Sequence, residues 1–262
     1  VVVDPRRTST CDIADLHLKL APGSDAALFN GLLAHLASSG EIDSTFVENN
    51  VSGFDAALAA ARADDPALTE LPKAELKAFY EMFATTKKVV TVFSQGINQS
   101  SSGSDKVNSI INCHLATGRI GHPGCGPFSM TGQPNAMGGR EVGGLATQLT
   151  AHLKLEEEAH RALVQSFWES PRIAQRPGVK AVDMFDAMLA GDIKAVWIIA
   201  TNPMVSLPDN AKIARALETC DLVVVSDCVE KNDTLDFADI CLPATSWLEK
   251  DGTVTNSERR IS

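Results

Sequence analysis

A chain of 262 residues, 44% apolar and 21% charged, is long enough for one large or two ordinary domains with a substantial core. Its 23 basic and 33 acidic side chains give a net charge of −10, which argues against a nucleic-acid surface or an anionic membrane as partner. No apolar run approaches the ~18–20 residues of a membrane span, and the start, VVVDPRR, has no basic leader before an apolar core, so no signal peptide is expected.

The first strand, Val1 to Val3, runs into a charged turn, Asp4-Pro5-Arg6-Arg7-Thr8. At the carboxyl end of a strand in a parallel sheet an Asp can accept from ribose hydroxyls or from the N–H groups of a base, and two Arg can meet phosphates in bidentate fashion. A solvated turn is the plainer alternative. A second strand, His17 to Leu20, leads to Ala21-Pro22-Gly23-Ser24-Asp25, and apolar residues at helical spacing predict a helix over Asp25 to Ser38, stopped by Gly40. Ser24 or Asp25 fits its N-cap, leaving N–H groups for a phosphate or sugar oxygen. Ile42 to Ala84 reads as helical packing, with Pro72 opening a helix to Phe83. Strand Lys88 to Phe93 delivers Ser94-Gln95-Gly96-Ile97-Asn98-Gln99, whose amide side chains can both donate to and accept from a polar heterocycle, and a helix over Lys106 to Thr117 follows.

The stretch Gly118 to Gly144, 27 residues, holds nine of the eighteen glycines and three of the twelve prolines. Such density argues against a regular helix or an interior strand. Ile120, Phe128, Met130, Met137 and Val142 argue equally against a linker. The expectation is an ordered, irregular loop shaped for close approach to a ligand, with Gln133, Asn135 and Arg140 as its polar heads.

Ala151 to Trp168 reads as a helix whose acidic run, Glu156 to Glu158, is a solvated face. After a break at Pro171 to Gly178 an α/β rhythm begins: helix Val182 to Leu189, strand Ala195 to Ala200 into Thr201-Asn202-Pro203, helix Asp209 to Leu217, strand Leu222 to Val225 into Ser226-Asp227, and strand Asp239 to Leu242. Three strands thus end on Asp or Asn, which sets polar groups along one sheet edge in the way nucleotides are held. No G-x-G-x-x-G or G-x4-G-K-[ST] motif is present, so ordinary dinucleotide and P-loop sites lack support. The six cysteines (Cys11, Cys113, Cys125, Cys220, Cys228, Cys241) include no C-x-x-C pair, which gives no metal site in this chain and suggests reduced thiols in a reducing compartment. A strand already under way at Val1 and the ending SERRIS suggest a piece of a longer protein.

Three segments carry a resemblance: TGRIGHPGCGPFSMTGQPNAMGGREVGGLA (Thr117 to Ala146), VWIIATNPMVSLPD (Val196 to Asp209) and ADICLPATSWLEKDGTVTNSERR (Ala238 to Arg260). With these in order, the whole chain resembles the molybdenum bis(molybdopterin guanine dinucleotide) oxidoreductases, and within them the prokaryotic assimilatory nitrate reductase catalytic subunits. The second and third segments are shared with formate dehydrogenases, whereas GQPNAMGGREVGG is similar to nitrate reductases and its Gly143-Gly144-Leu145 ending to the assimilatory branch.

The resemblance implies an α/β fold of two parallel-sheet, Rossmann-like lobes, incomplete at both ends. The first spans 1–125 and the second 126–262, joined through the loop 118–144, with a guanine dinucleotide held by each. It places Asp4, Pro5, Arg6, Arg7, Thr8, Gly23, Ser24 and Asp25 at one dinucleotide, Gln95 and Gln99 beside the cofactor near the metal, and Asn202, Ser226, Asp227 and Lys250 at the other. Periplasmic relatives often carry Met where Gln95 stands. Gln133 and Arg140 fall at the floor of the substrate funnel. Arg140 is read as steering the anion, with an ion pair to Glu141 or another acid as the alternative. The implied reaction is two-electron oxygen-atom removal from nitrate to give nitrite in the cytoplasm. Electrons come from a ferredoxin, flavodoxin or NADH-linked subunit through a 4Fe–4S cluster in the missing N-terminal part. The metal ligand also lies outside the chain, so residues 1–262 alone are expected to be inactive. A molybdenum formate dehydrogenase and a non-catalytic subunit on the same scaffold are the alternatives.

Overall fold

The strongest helical pattern in the sequence, Leu28, Leu32, Leu33 and Leu36, becomes the most deeply buried wall of the structure, each residue at most 1% exposed. The computed structural model describes residues 1–262 and divides them into two units, Val1–Gly132 and Gln133–Ser262. In the first unit the chain runs β1 (Val2–Val3), β2 (His17–Leu18), α1 (Asp25–Ser39), α2 (Ser44–Asn50), α3 (Phe54–Ala63), α4 (Lys73–Thr85), β3 (Val90–Phe93), α5 (Gln95–Asn98), α6 (Gly103–Ala116) and β4 (Gly126–Ser129). The leucine wall of α1 packs with Phe79, Tyr80 and Phe83 of α4 and Ile110 and Cys113 of α6 in one core. Gly40, at φ 79°, ends α1 in the left-handed conformation that glycine adopts without strain. The strands form two separate parallel pairs, β1 with β2 and β3 with β4.

The glycine-rich stretch departs from expectation. Gly126–Ser129 forms β4, paired residue for residue with Val90–Phe93. Pro127 is tolerated because β4 lies at the edge of its sheet. That pairing keeps β4 in the first unit, so the division falls after Gly132 and not at 125. Ala136–Glu141 forms a short helix, α7, which opens the second unit.

The second unit continues with α8 (Glu158–Phe167), α9 (Ala181–Leu189), β5 (Ala195–Ile199), α10 (Pro203–Ser206), α11 (Asn210–Thr219), β6 (Leu222–Asp227) and β7 (Ile240–Pro243). Helix α8 starts seven residues later than the sequence suggests, since Ala151 and His152 take left-handed conformations (φ 53° and 59°) that no helix continues through. Glu158 then stands in its first turn, where the helix dipole favours negative charge. The three strands β5-β6-β7 are parallel. One face of this sheet is buried in a core with Phe185 and Met188 of α9 and Ile213, Ala216 and Leu217 of α11. On β5 the alternate residues Trp197 and Ile199 are exposed, and β7 is exposed along its whole length. No helix is long and apolar enough to cross a membrane.

Two buried polar side chains hold the first unit behind β3. Arg119 donates through Nη2 to the carbonyls of Phe83 (2.9 Å) and Thr86 (2.6 Å) at the end of α4, and its guanidinium lies 4.6 Å from the Phe83 ring centroid. His114 pairs through Nε2 with Thr91 Oγ1 at 2.7 Å and stands edge-on to Phe83. Burial, helped by the charge of Arg119, lowers the His114 pKa from 6.5 to about 4. Because the folded form resists protonation, the unfolded chain binds the extra proton first. The His114 contribution is therefore complete above pH 6.5 and is lost as pH falls toward 4. His114→Gln, which does not titrate, is expected to flatten the fall in urea midpoint between about pH 7 and about pH 4.5 relative to the unmodified protein.

Candidate functional site

In the first unit the turns that follow β1, β2 and β3 meet at one end of a cavity of about 690 Å3, within the range of small-molecule and cofactor sites. Asp4 and Pro5, Gly23 and Asp25, and Ser94, Gln95 and Gly96 line it. Asp4 is positioned by local bonds: its Oδ1 accepts from Arg6 N at 2.7 Å, and its carbonyl bonds His17 Nε2 at 2.8 Å. Ser24 turns its hydroxyl back onto the Ala21 carbonyl (2.7 Å), so no side chain caps α1. Arg6, Arg7, Thr8 and Gln99 lie outside the cavity lining. Arg7 is 2.8 Å from Asp12 on the exposed surface, a pair worth little.

Lys106 is a site residue that the sequence reading missed. Its ammonium, 6% exposed, sits 2.7 Å from the Asp25 carboxylate, itself 18% exposed, and both residues line the cavity. Sequence gives no signal for a partner 81 residues away.

In the second unit the carboxyl ends of β5 and β6 are tied by a chain of side-chain bonds. Thr234 Oγ1, fully buried, donates to Asn202 Oδ1 (2.6 Å) and accepts from the Met204 amide (3.3 Å). Asn232 Oδ1 accepts from the amides of Thr234 and Leu235, and its Nδ2 donates to Asp227 Oδ2 at 2.9 Å. Ser226 accepts from Trp197 Nε1 at 2.9 Å. Asn202 and Asp227 are therefore linked through Thr234 and Asn232 on one sheet edge, with Ser226 next to Asp227 and bonded instead to Trp197. Asn232 and Thr234 are site residues that the sequence reading missed; the Asn-Asp-Thr run at 232–234 is the turn signal that would have found them. Lys250 is not in this network; its ammonium lies 5.0 Å from the Trp247 ring centroid.

Gln133 precedes α7 and Arg140 lies in its last turn, and both are exposed. Arg140 forms no ion pair, with Glu141 or any other acid, and its guanidinium makes no hydrogen bond; its carbonyl accepts from Gln148 Nε2 at 2.8 Å and from the Gly143 amide at 3.1 Å. The nearby glycines serve packing inside the unit. Gly143 stands at φ 81°, where a Cβ would fall 2.6 Å from the Thr150 amide nitrogen. A Cβ on Gly138 would strike Asn135 Oδ1, the atom that accepts from the Thr255 amide at 3.0 Å. No group of three or more His, Cys, Asp or Glu side chains is arranged to hold a metal ion.

The family model for molybdopterin oxidoreductases matches residues 1–262. The chain belongs to the molybdopterin oxidoreductase family. Among curated relatives it is 54% identical to a nitrate reductase of Klebsiella oxytoca, over all of this chain and 30% of that protein. It is 35% identical to the assimilatory nitrate reductase catalytic subunit of Bacillus subtilis, over all of this chain and 38% of that protein. The chain thus spans about a third of the length of such relatives. Acetylene hydratase from Pelobacter acetylenicus superposes with a TM-score of 0.69 over 97% of this chain and 37% of that one, at 22% identity, which shows a shared fold. Membership of the molybdopterin oxidoreductases implies a molybdenum–pterin cofactor.

The Asp25–Lys106 pair gives a direct test of this part of the fold. Lys106→Ala leaves a largely buried carboxylate unpaired and is expected to lower stability by about 3–5 kcal/mol. The double variant Lys106→Met, Asp25→Leu is expected to recover most of that loss in urea denaturation.

Proposed function

We propose that this chain is the nucleotide-holding part of a molybdenum nitrate reductase of nitrate assimilation, with bis(molybdopterin guanine dinucleotide) as the cofactor. The observation that carries the reading is Arg140: an exposed guanidinium without an acidic partner, close in sequence to Gln133, in a chain whose relatives include nitrate reductases. An unpaired planar cation is suited to attract and orient a planar anion. The reaction takes nitrate, two electrons and two protons to nitrite and water. When bound, the molybdenum–pterin group supplies the two-electron redox chemistry; the chain's own residues bind, orient and shield.

The donor sets suit guanine dinucleotides. Asp4 commits Oδ1 to Arg6 and keeps Oδ2 to accept from a base or ribose, while the guanidinium of Arg6, 84% exposed, is available to phosphate. We assign Asp4, Pro5, Arg6, Arg7, Thr8, Gly23, Ser24 and Asp25 to one dinucleotide, with Gln95 and Gln99 toward its pterin end. Asn202, Ser226, Asp227 and Lys250 are assigned to the other. The bonds among Asn202, Thr234, Asn232 and Asp227 fix the acceptors there before a ligand arrives. A 4Fe–4S cluster outside residues 1–262 brings electrons from a ferredoxin, flavodoxin or NADH-linked subunit. The six free thiols fit the reducing cytoplasm.

A formate dehydrogenase reading draws on one relative, the F420-dependent formate dehydrogenase 2 subunit alpha of Methanococcus maripaludis, at 31% identity against 54% for the Klebsiella oxytoca protein. Viologen-linked nitrate reduction against formate oxidation in the full-length protein separates the two. In that protein Arg140→Ala is expected to raise KM for nitrate or lower kcat by a factor on the order of 10²–10³ while molybdenum content stays normal. Unchanged kinetics remove Arg140 from the site. Residues 1–262 alone are expected to carry no molybdenum, and stoichiometric metal in elemental analysis would contradict that.

A further inference from the structure

Helix α7 has six residues, too few to hold its own register in water. The carbonyls of a helix's last turn have no partner within the helix, yet here each one is engaged. The amides of Val142, Gly143 and Gly144 donate to the carbonyls of Gly138 (3.1 Å), Arg140 (3.1 Å) and Gly139 (2.7 Å). Two side chains complete the set: Gln148 Nε2 donates to the Arg140 carbonyl at 2.8 Å and Thr150 Oγ1 to the Glu141 carbonyl at 2.9 Å. At the other end of α7 the Asn135 Oδ1 accepts from the Thr255 amide at 3.0 Å.

Gln148 and Thr150 are not local caps. They stand eight and nine residues beyond the carbonyls they bond, and they flank Leu149, which is 4% exposed. Leu149 packs with Leu155 and with Val164 of α8 in a small core of its own. Its amide donates to the Leu153 carbonyl at 2.8 Å, and Ala151 and His152 between them hold left-handed backbone at φ 53° and 59°. Non-glycine residues keep that conformation only where the surrounding structure fixes it. The segment 148–153 is thus anchored by itself, and α7 leans on it. The contact is close: a Cβ on Gly143 would fall 2.6 Å from the Thr150 amide nitrogen.

We infer that Gln148 and Thr150 are positioning residues for Arg140. They tie the last turn of α7 to the Leu149–Leu155–Val164 core and so fix the direction in which the guanidinium is presented. The inference rests on the reading of Arg140 as the group that orients nitrate. An Arg paired with a carboxylate is held by its head, but the Arg140 guanidinium has no acidic partner, so its aim is set through its backbone. A tilt of α7 carries the end of this long side chain through a wider arc than its Cα, and a misplacement of about 1 Å can cost on the order of 10² in rate.

The test uses the full-length holoenzyme and the double variant Gln148→Met, Thr150→Val, which keeps side-chain bulk and removes both donors. Its kcat/KM for nitrate, referred to molybdenum content, is expected to fall by a factor on the order of 10, and Thr150→Ser in place of Thr150→Val to recover part of the loss. On an Arg140→Ala background the same double substitution is expected to change kcat/KM by less than about twofold, because residues that act through one another are not additive. In cofactor-free protein it is expected to speed hydrogen exchange at the Gly143 and Gly144 amides by a factor on the order of 10. Unchanged exchange, or unchanged kcat/KM beside an impaired Arg140→Ala, overturns the inference and leaves the Arg140 reading standing. So does a fall that adds in full on the Arg140→Ala background, which assigns the two residues to stability alone. Unmodified kinetics in Arg140→Ala remove both readings. Gln148→Met alone carries the same comparisons if the double variant does not fold.

Discussion

Burial of the α1 leucine wall is the interaction on which the first unit depends. Four leucines at most 1% exposed contribute on the order of 1.5–3 kcal/mol each relative to exposure. The helices they contact, α4 and α6, form the floor beneath β1 and β3. The Asp25–Lys106 pair then fixes the start of α1 against α6. A charge pair this dry adds little net stability over an apolar substitute, so its value lies in orientation. It sets the Gly23 turn and the amino end of α1 at the cavity rim, where an anionic group would meet unused backbone N–H groups.

The second unit reaches the same end by different means. Its polar edge is pre-set by short bonds among Asn202, Thr234, Asn232 and Asp227, with Thr234 and Asn232 also bonded to backbone amides. A network with its members satisfied is rigid, and rigidity lowers the ordering cost of binding. The glycines of the loop divide between two tasks. Gly138 and Gly143 let backbone and Asn135 pack closely within the unit, while Gly132 and Gly139 have open space around them.

Where an element depends on its own residues, the sequence announced it. The leucine spacing of α1 is a local pattern that the structure places as expected, whereas the Asp and Asn at strand ends, expected along one sheet edge, fall on two sheets, Asp4 after β1 and Asn202 and Asp227 on the β5-β6-β7 sheet. Elements that depend on distant partners stayed hidden. Gly126 and Pro127 weigh against a strand, and Gly126–Ser129 is one because β3 lies beside it. Lys106 reads as one more charged residue until the fold brings Asp25 to it. The delayed start of α8 turns on two left-handed residues, Ala151 and His152, that no propensity would single out. Arg140 was legible as a candidate by its neighbours, but its lack of an acidic partner is a property of the folded surface alone.

The 81 residues between Asp25 and Lys106 also have a meaning in time. At a synthesis rate of about 5–20 residues per second, roughly 4 to 16 s separate the emergence of the carboxylate from that of its ammonium partner. During that interval α1 can form, yet its leucine face lacks α6 and its amino end has no counter-charge. The first unit is thus committed only once α6 has emerged, and the nascent chain must carry an apolar helix through several seconds of exposure before the pair closes.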